Sequence, residues 1–126
     1  MAVDAVDFPD AVGHCVAAAA RDDGPPLCTV AINPEKIMRA MREPGLLPVL
    51  EAAGLRIPDG IGVVVASRLR RGRVRRRVTG IDLTMAVAAE AARRGWPVYL
   101  LGGAPGVAAM LHAGSKGLRR ARTPLA

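Results

Sequence analysis

Apolar positions along this chain change their spacing from block to block, and the changes mark out elements. "PDAVGHCVAAAARDD" (9–23) is alanine-rich with helical spacing, and "GPP" (24–26) follows to stop it. "LCTVAI" (27–32) is a short β-prone run that leads directly into "NPEKIMRAMR" (33–42). There Asn33 can cap a helix, Pro34 suits its first turn and Glu35 complements its dipole. "PGLLPVLEAAG" (44–54) reads as a broken helical segment and "LRI" (55–57) as a short strand before Pro58. "GIGVVVASRLRR" (60–71) fits either a helix or a buried apolar segment. The clearest helix is "TGIDLTMAVAAEAARRG" (79–95), with Thr79 and Asp82 spaced as in a capping box and Gly95 at its end. "WPVYLLGG" (96–103) then predicts a strand running into a glycine pair, and "APGVAAMLHAG" (104–114) opens another helix.

Strands alternating with helices predict an α/β layer fold with a mostly parallel sheet flanked by helices. Three strands make a thin sheet, so the fold is expected to be cut short at its C-terminus. Residues 1–113 are expected to form one α/β domain, and the basic ending "SKGLRRARTPLA" within 114–126 a disordered tail.

Composition narrows the classes. The chain has 126 residues, enough for one domain with a modest core, and is 51% hydrophobic, which argues for a globular protein rather than a disordered one. Aromatic residues are 2%, which counts against binding single-stranded nucleic acid on stacking platforms. The net charge is +7, from 16 arginines and two lysines, Lys36 and Lys116, against 11 acidic residues. Seven of the arginines fall in "RLRRGRVRRR", Arg68 to Arg77. Such a run reads as a contact with phosphates or an anionic membrane surface, or as a solvated helix end and loop. Cys15 and Cys28 lack metal-ligand spacing and are expected to be buried free thiols in a reducing compartment. His14 and His112 have no partner at ligand spacing. No run reaches the roughly 18 apolar residues of a membrane span, and the acidic N-terminus lacks a signal pattern. A cytoplasmic chain with peripheral membrane contact is expected.

Three turns each follow a β-prone run and precede a helix: "INPE" (32–35), "IPDG" (57–60) and "LLGGAPG" (100–106). In open α/β sheets ligands bind where such turns gather, at the carboxyl ends of the strands. Gly102 and Gly103 allow close backbone approach to a phosphate at the following helix N-terminus, although neither a dinucleotide fingerprint nor a P-loop is present. Asp59 is a candidate general base, or simply the acid of a Pro-Asp-Gly turn. Arg77 can neutralise a departing diphosphate, or belong to the solvated run. Thr79 and Asp82 read most simply as capping residues. No Asp-X-Asp element calls for a metal.

"AINPEKIMRA", "IPDGIGVVVASRL" and "RVTGIDLTMAVAAEAARRGWPVYLLGGAPGVA", in that order, resemble the N-terminal half of the WecG/TagA/CpsF glycosyltransferases, from about Leu27 to Leu111. The resemblance implies a Rossmann-like core without a divalent metal or cofactor. It implies transfer of N-acetylmannosamine or a related sugar from a UDP-sugar to a polyprenyl-pyrophosphate-linked acceptor, with inversion, in teichoic acid or other surface-polysaccharide assembly. It implies Asp59 as catalytic base. It implies substrate-binding roles for Asn33, Arg77, Thr79, Gly80, Asp82, Gly102 and Gly103. Many members carry Thr two residues before that Asn, where this chain has Ala31. Family members continue beyond this chain's end into parts that contribute to UDP-sugar binding and membrane docking. The expected place of work is the inner face of the cell membrane, with a homo-oligomer left open. The alternatives are an inactive fragment keeping a nucleotide half-site, and a basic nucleic-acid-binding module, which the lack of any reader motif disfavours.

Overall fold

The computed structural model describes residues 2–107, 109 and 110. In chain order the elements are α1 (Phe8–Ala19), β1 (Thr29–Ile32), α2 (Pro34–Arg42), α3 (Leu46–Glu51), β2 (Leu55–Pro58), α4 (Ile61–Leu69) and α5 (Gly80–Arg94). β1 and β2 pair in parallel, Thr29 opposite Leu55 and Ile32 opposite Pro58, with α2 and α3 forming the crossover. This is the mixed α/β, Rossmann-like arrangement expected, built on two described strands. The chain divides into two compact units at Thr84–Met85, within α5.

Local chemistry sets the helix boundaries. The Asp7 carboxylate accepts from the Asp10 N–H at 3.1 Å to start α1, with Pro9 in the first turn. α1 stops at Ala19, short of the Asp23 expected, because Asp22 and Asp23 would put negative charge at the negative end of the helix dipole. Residues 60–71, ambiguous in sequence, form a helix through Leu69, with Val63 and Val64 buried along one side. At the end of α5, Gly95 takes φ +70° and the Trp96 N–H donates to the Ala91 carbonyl at 2.8 Å, a left-handed stop that glycine permits without strain.

Ile32, Ala40 and Leu50 form a buried cluster, with Val30, Ile37, Leu46 and Leu47 packed around it. Ile57, Pro58 and Val78 are also fully covered, and no polar or charged residue is buried among the described residues. The outer edge of β2 is covered by two other parts of the chain. Asp4 donates its N–H to the Arg56 carbonyl at 2.9 Å and accepts the Arg56 N–H on Oδ2 at 2.7 Å, while the Val78 N–H donates to the Pro58 carbonyl at 2.9 Å. An ion pair between Arg56 and Asp4 at 3.4 Å reinforces the N-terminal strap.

Two expectations are corrected. Residues 96–102 form no strand: they lie outside regular structure, and Tyr99, Leu100 and Leu101 are exposed. A β-prone sequence becomes a strand only when another backbone takes up its N–H and C=O groups, and none of the described residues does so here. The thiols are not buried either. Cys28 is exposed just before β1, and Cys15 is half-buried, its sulfur 3.6 Å from the Thr29 hydroxyl. His112 and the 114–126 tail lie outside the described residues.

Candidate active site

Parallel pairing brings the first two turns together. Because Ile32 and Pro58 are in register, Asn33 and Asp59 leave adjacent strands at the same end, and the Asp59 N–H donates to the Ile32 carbonyl at 2.9 Å. The segment before α5 runs along the other side of β2. Val78, only 1% exposed, anchors it at Pro58, and two residues later the Gly80 N–H donates to Asp59 Oδ2 at 3.3 Å. Asp59 is half-buried, and its Oδ1 has no partner among the described residues.

Glycine is required at this junction for distinct reasons. Gly60 sits at φ +124°, a conformation L side chains rarely adopt, and a side chain there would also approach Pro34 Cδ at 3.4 Å. A Cβ on Gly80 would lie 3.2 Å from Ala31 Cβ and 3.7 Å from Asp59 Oδ2. The small residues at 31 and 80 therefore let the start of α5 come close enough to β1 and β2 to reach the carboxylate. Three helices, α2, α4 and α5, begin directly after this cluster, so their positive ends share the strand edge with the carboxylate.

The other predicted residues divide by how their polar atoms are used. Asn33 Oδ1 accepts the Lys36 N–H at 2.8 Å and caps α2, leaving its Nδ2 amide without a partner among the described residues. Thr79 Oγ1 accepts the Asp82 N–H at 3.2 Å and so caps α5, while its hydroxyl donates to the Asp82 carboxylate. Arg77 is exposed, with no hydrogen bond or ion pair among the described residues. Gly102 and Gly103 belong to the second unit, at φ +109° and +79°. Their N–H groups are unbonded among the described residues, and the chain behind them turns helical, with the Met110 N–H on the Gly106 carbonyl at 3.0 Å.

Sequence reasoning did not find the Gly80 N–H as Asp59's partner, nor the Asp4–Arg56 strap. Backbone donors carry no residue signature, and the strap joins residues 52 apart. A cleft of about 1170 Å³ opens elsewhere in the first unit, walled by Ile37, Met41, Leu47 and Val63 and edged by Arg70 and Arg73, and none of the candidate site residues lines it. Among the described residues, no group of three or more His, Cys, Asp or Glu is placed to hold a metal ion, and no helix is long and apolar enough to cross a membrane.

Over residues 1–119 the sequence matches the glycosyl transferase WecG/TagA/CpsF family. The chain belongs to this family. Membership assigns it to glycosyl transfer in cell-wall polysaccharide synthesis, between a sugar-nucleotide donor and an acceptor. Asp59 and Gly80, joined by a hydrogen bond in the structure, come from separate stretches of the matched region.

Proposed function

We propose that this glycosyltransferase moves N-acetylmannosamine or a related sugar from its UDP derivative to a polyprenyl-pyrophosphate-linked sugar, as in teichoic acid assembly, inverting the anomeric centre. The supporting observation is the Asp59 carboxylate, held at the strand ends by the Gly80 N–H on one oxygen and free on the other. In this reading Oδ1 removes the proton from the acceptor hydroxyl. The resulting oxygen attacks the anomeric carbon from the face opposite UDP. The bond from that carbon to the diphosphate oxygen breaks as the new glycosidic bond forms. UDP departs with the electron pair, and the unpaired Arg77 guanidinium is the cation offered for its charge.

Asn33 donates through its free Nδ2 to a substrate hydroxyl. Thr79 and Asp82 act by fixing the start of α5, and with it the Gly80 N–H that orients Asp59. Gly102 and Gly103 keep the role the family resemblance gives them, phosphate-facing N–H donors in the second unit. The protein works at the inner face of the membrane, where a lipid-linked acceptor is found.

The test is a transfer assay on the full chain with UDP-N-acetylmannosamine and a polyprenyl-pyrophosphate-linked sugar. Asp59→Asn is expected to bind UDP as the parent does and to lose about 10²- to 10⁴-fold in turnover. Unchanged turnover removes Asp59 from the role of base. Activity with a different UDP-hexosamine alone reassigns the donor.

A further inference from the structure

We infer that α4 and the loop after it form one amphipathic surface that docks on an anionic phospholipid bilayer. Ile61, Val65 and Leu69 recur every four residues, so they form a stripe along α4, and they are 68%, 47% and 81% exposed. Val63, buried on the far side of α4, fixes which face of the helix turns outward, and Val64 is buried along the flank of the stripe. Arg68 follows Val65 by three residues and Ile61 by seven, which places it beside the stripe.

The arginine loop is held in place rather than trailing in solvent. The Gly72 N–H donates to the Ser67 carbonyl at 2.7 Å, the Val74 N–H donates to Ser67 Oγ at 3.2 Å, and the Val74 side chain is buried. Arg68 Nη2 donates to the Arg75 carbonyl at 3.1 Å, tying the loop to the flank of the stripe. Arg70, Arg71, Arg73, Arg75, Arg76 and Arg77 all remain exposed. Between Asp59 and Asp82 the chain holds seven arginines and no acidic residue. An exposed apolar stripe with a concentrated, unopposed positive charge at its end matches a surface that is negative outside and apolar beneath. Nucleic acid would use the charge and leave the stripe in water. The inference deepens the reading of a lipid-borne acceptor, and it concerns a surface made by α4 and its loop alone.

Co-sedimentation of the full chain with vesicles tests it without any sugar nucleotide, so a failure of transfer and a failure of docking are read separately. Vesicles of equal parts phosphatidylglycerol and phosphatidylcholine are compared with phosphatidylcholine alone, at low and high salt. Binding is expected to the mixed vesicles, weakening with salt. Val65→Ser with Leu69→Ser is expected to lower the partition about ten-fold with no change in melting temperature, because both side chains are exposed. Arg73→Gln, Arg75→Gln and Arg76→Gln together are expected to lower it about 100-fold and flatten the salt dependence. Equal binding to phosphatidylcholine alone, or full binding by the Val65/Leu69 variant, overturns the inference. Tighter binding to a DNA duplex, lost in the arginine variant and kept in the apolar one, overturns it in favour of nucleic acid.

Discussion

"IPDG" and "LLGGAPG" look alike in sequence, each a β-prone run entering a glycine turn before a helix, yet they end differently. The run before Asp59 is a strand with backbone neighbours on both sides, β1 on one and the Asp4 and Val78 segments on the other. The run before Gly102 has no strand structure, and Leu101 is 89% exposed. Both turns keep their left-handed glycines, Gly60 in one and Gly102, Gly103 and Gly106 in the other. Turn geometry is thus a local property, while strand formation depends on partners supplied from distant sequence.

The largest expected effect separates the two runs directly. Ile57→Ala, at a position 1% exposed, should cost about 2–5 kcal/mol, while Leu101→Ser should stay within about 0.5 kcal/mol, both read by urea unfolding. Equal costs would show that the second run is packed in solution as the first is. Next comes Gly80→Ala, whose new Cβ meets Ala31 at 3.2 Å: about 1–3 kcal/mol of stability and a ten- to hundred-fold fall in turnover are expected as α5 backs away from Asp59. A variant that loses stability but keeps its turnover would separate the packing of this junction from its chemistry.

The smallest effect lies in the second unit. A hydrogen bond from Arg94 holds the Glu90 carboxyl below its ordinary value of 4.5, with desolvation opposing and the charges of Arg93 and Arg94 adding. A carboxyl depressed on folding contributes stability above its unfolded value, and the contribution disappears as pH falls through the folded value. Glu90→Gln should therefore lower the melting temperature slightly at neutral pH and not at all in acid, where thermal scans of the two proteins should coincide.

What could be read from the sequence follows the same division. Helix boundaries with a recognisable local signature were legible, Asn33 before α2, Thr79 with Asp82 before α5 and Gly95 after it, whereas the Asp7 cap of α1, two residues ahead of the expected start at Pro9, was not. The βαβ order and the gathering of Asn33 and Asp59 at one strand edge followed from the alternation of elements. The expected strand at 96–103 failed because propensity says nothing about whether a neighbouring backbone is free. The burial of Cys28 failed because an apolar neighbourhood in sequence does not fix which way a residue at a strand's entrance faces. The Gly80 contact to Asp59 was invisible because it uses a main-chain donor, which every residue but proline carries.

The N-terminal strap has a consequence for the order of folding. Asp4 is made 52 positions before its partner Arg56, so closing that loop carries an entropic cost that is met only once β2 is in place. During synthesis the strap must wait for β2 to emerge, whereas α1 and α2 can nucleate from their own caps beforehand. Closure of the strap is therefore expected late in the folding of this unit, and a change at Asp4 should act mainly on unfolding rather than refolding rates, as read from chevron plots.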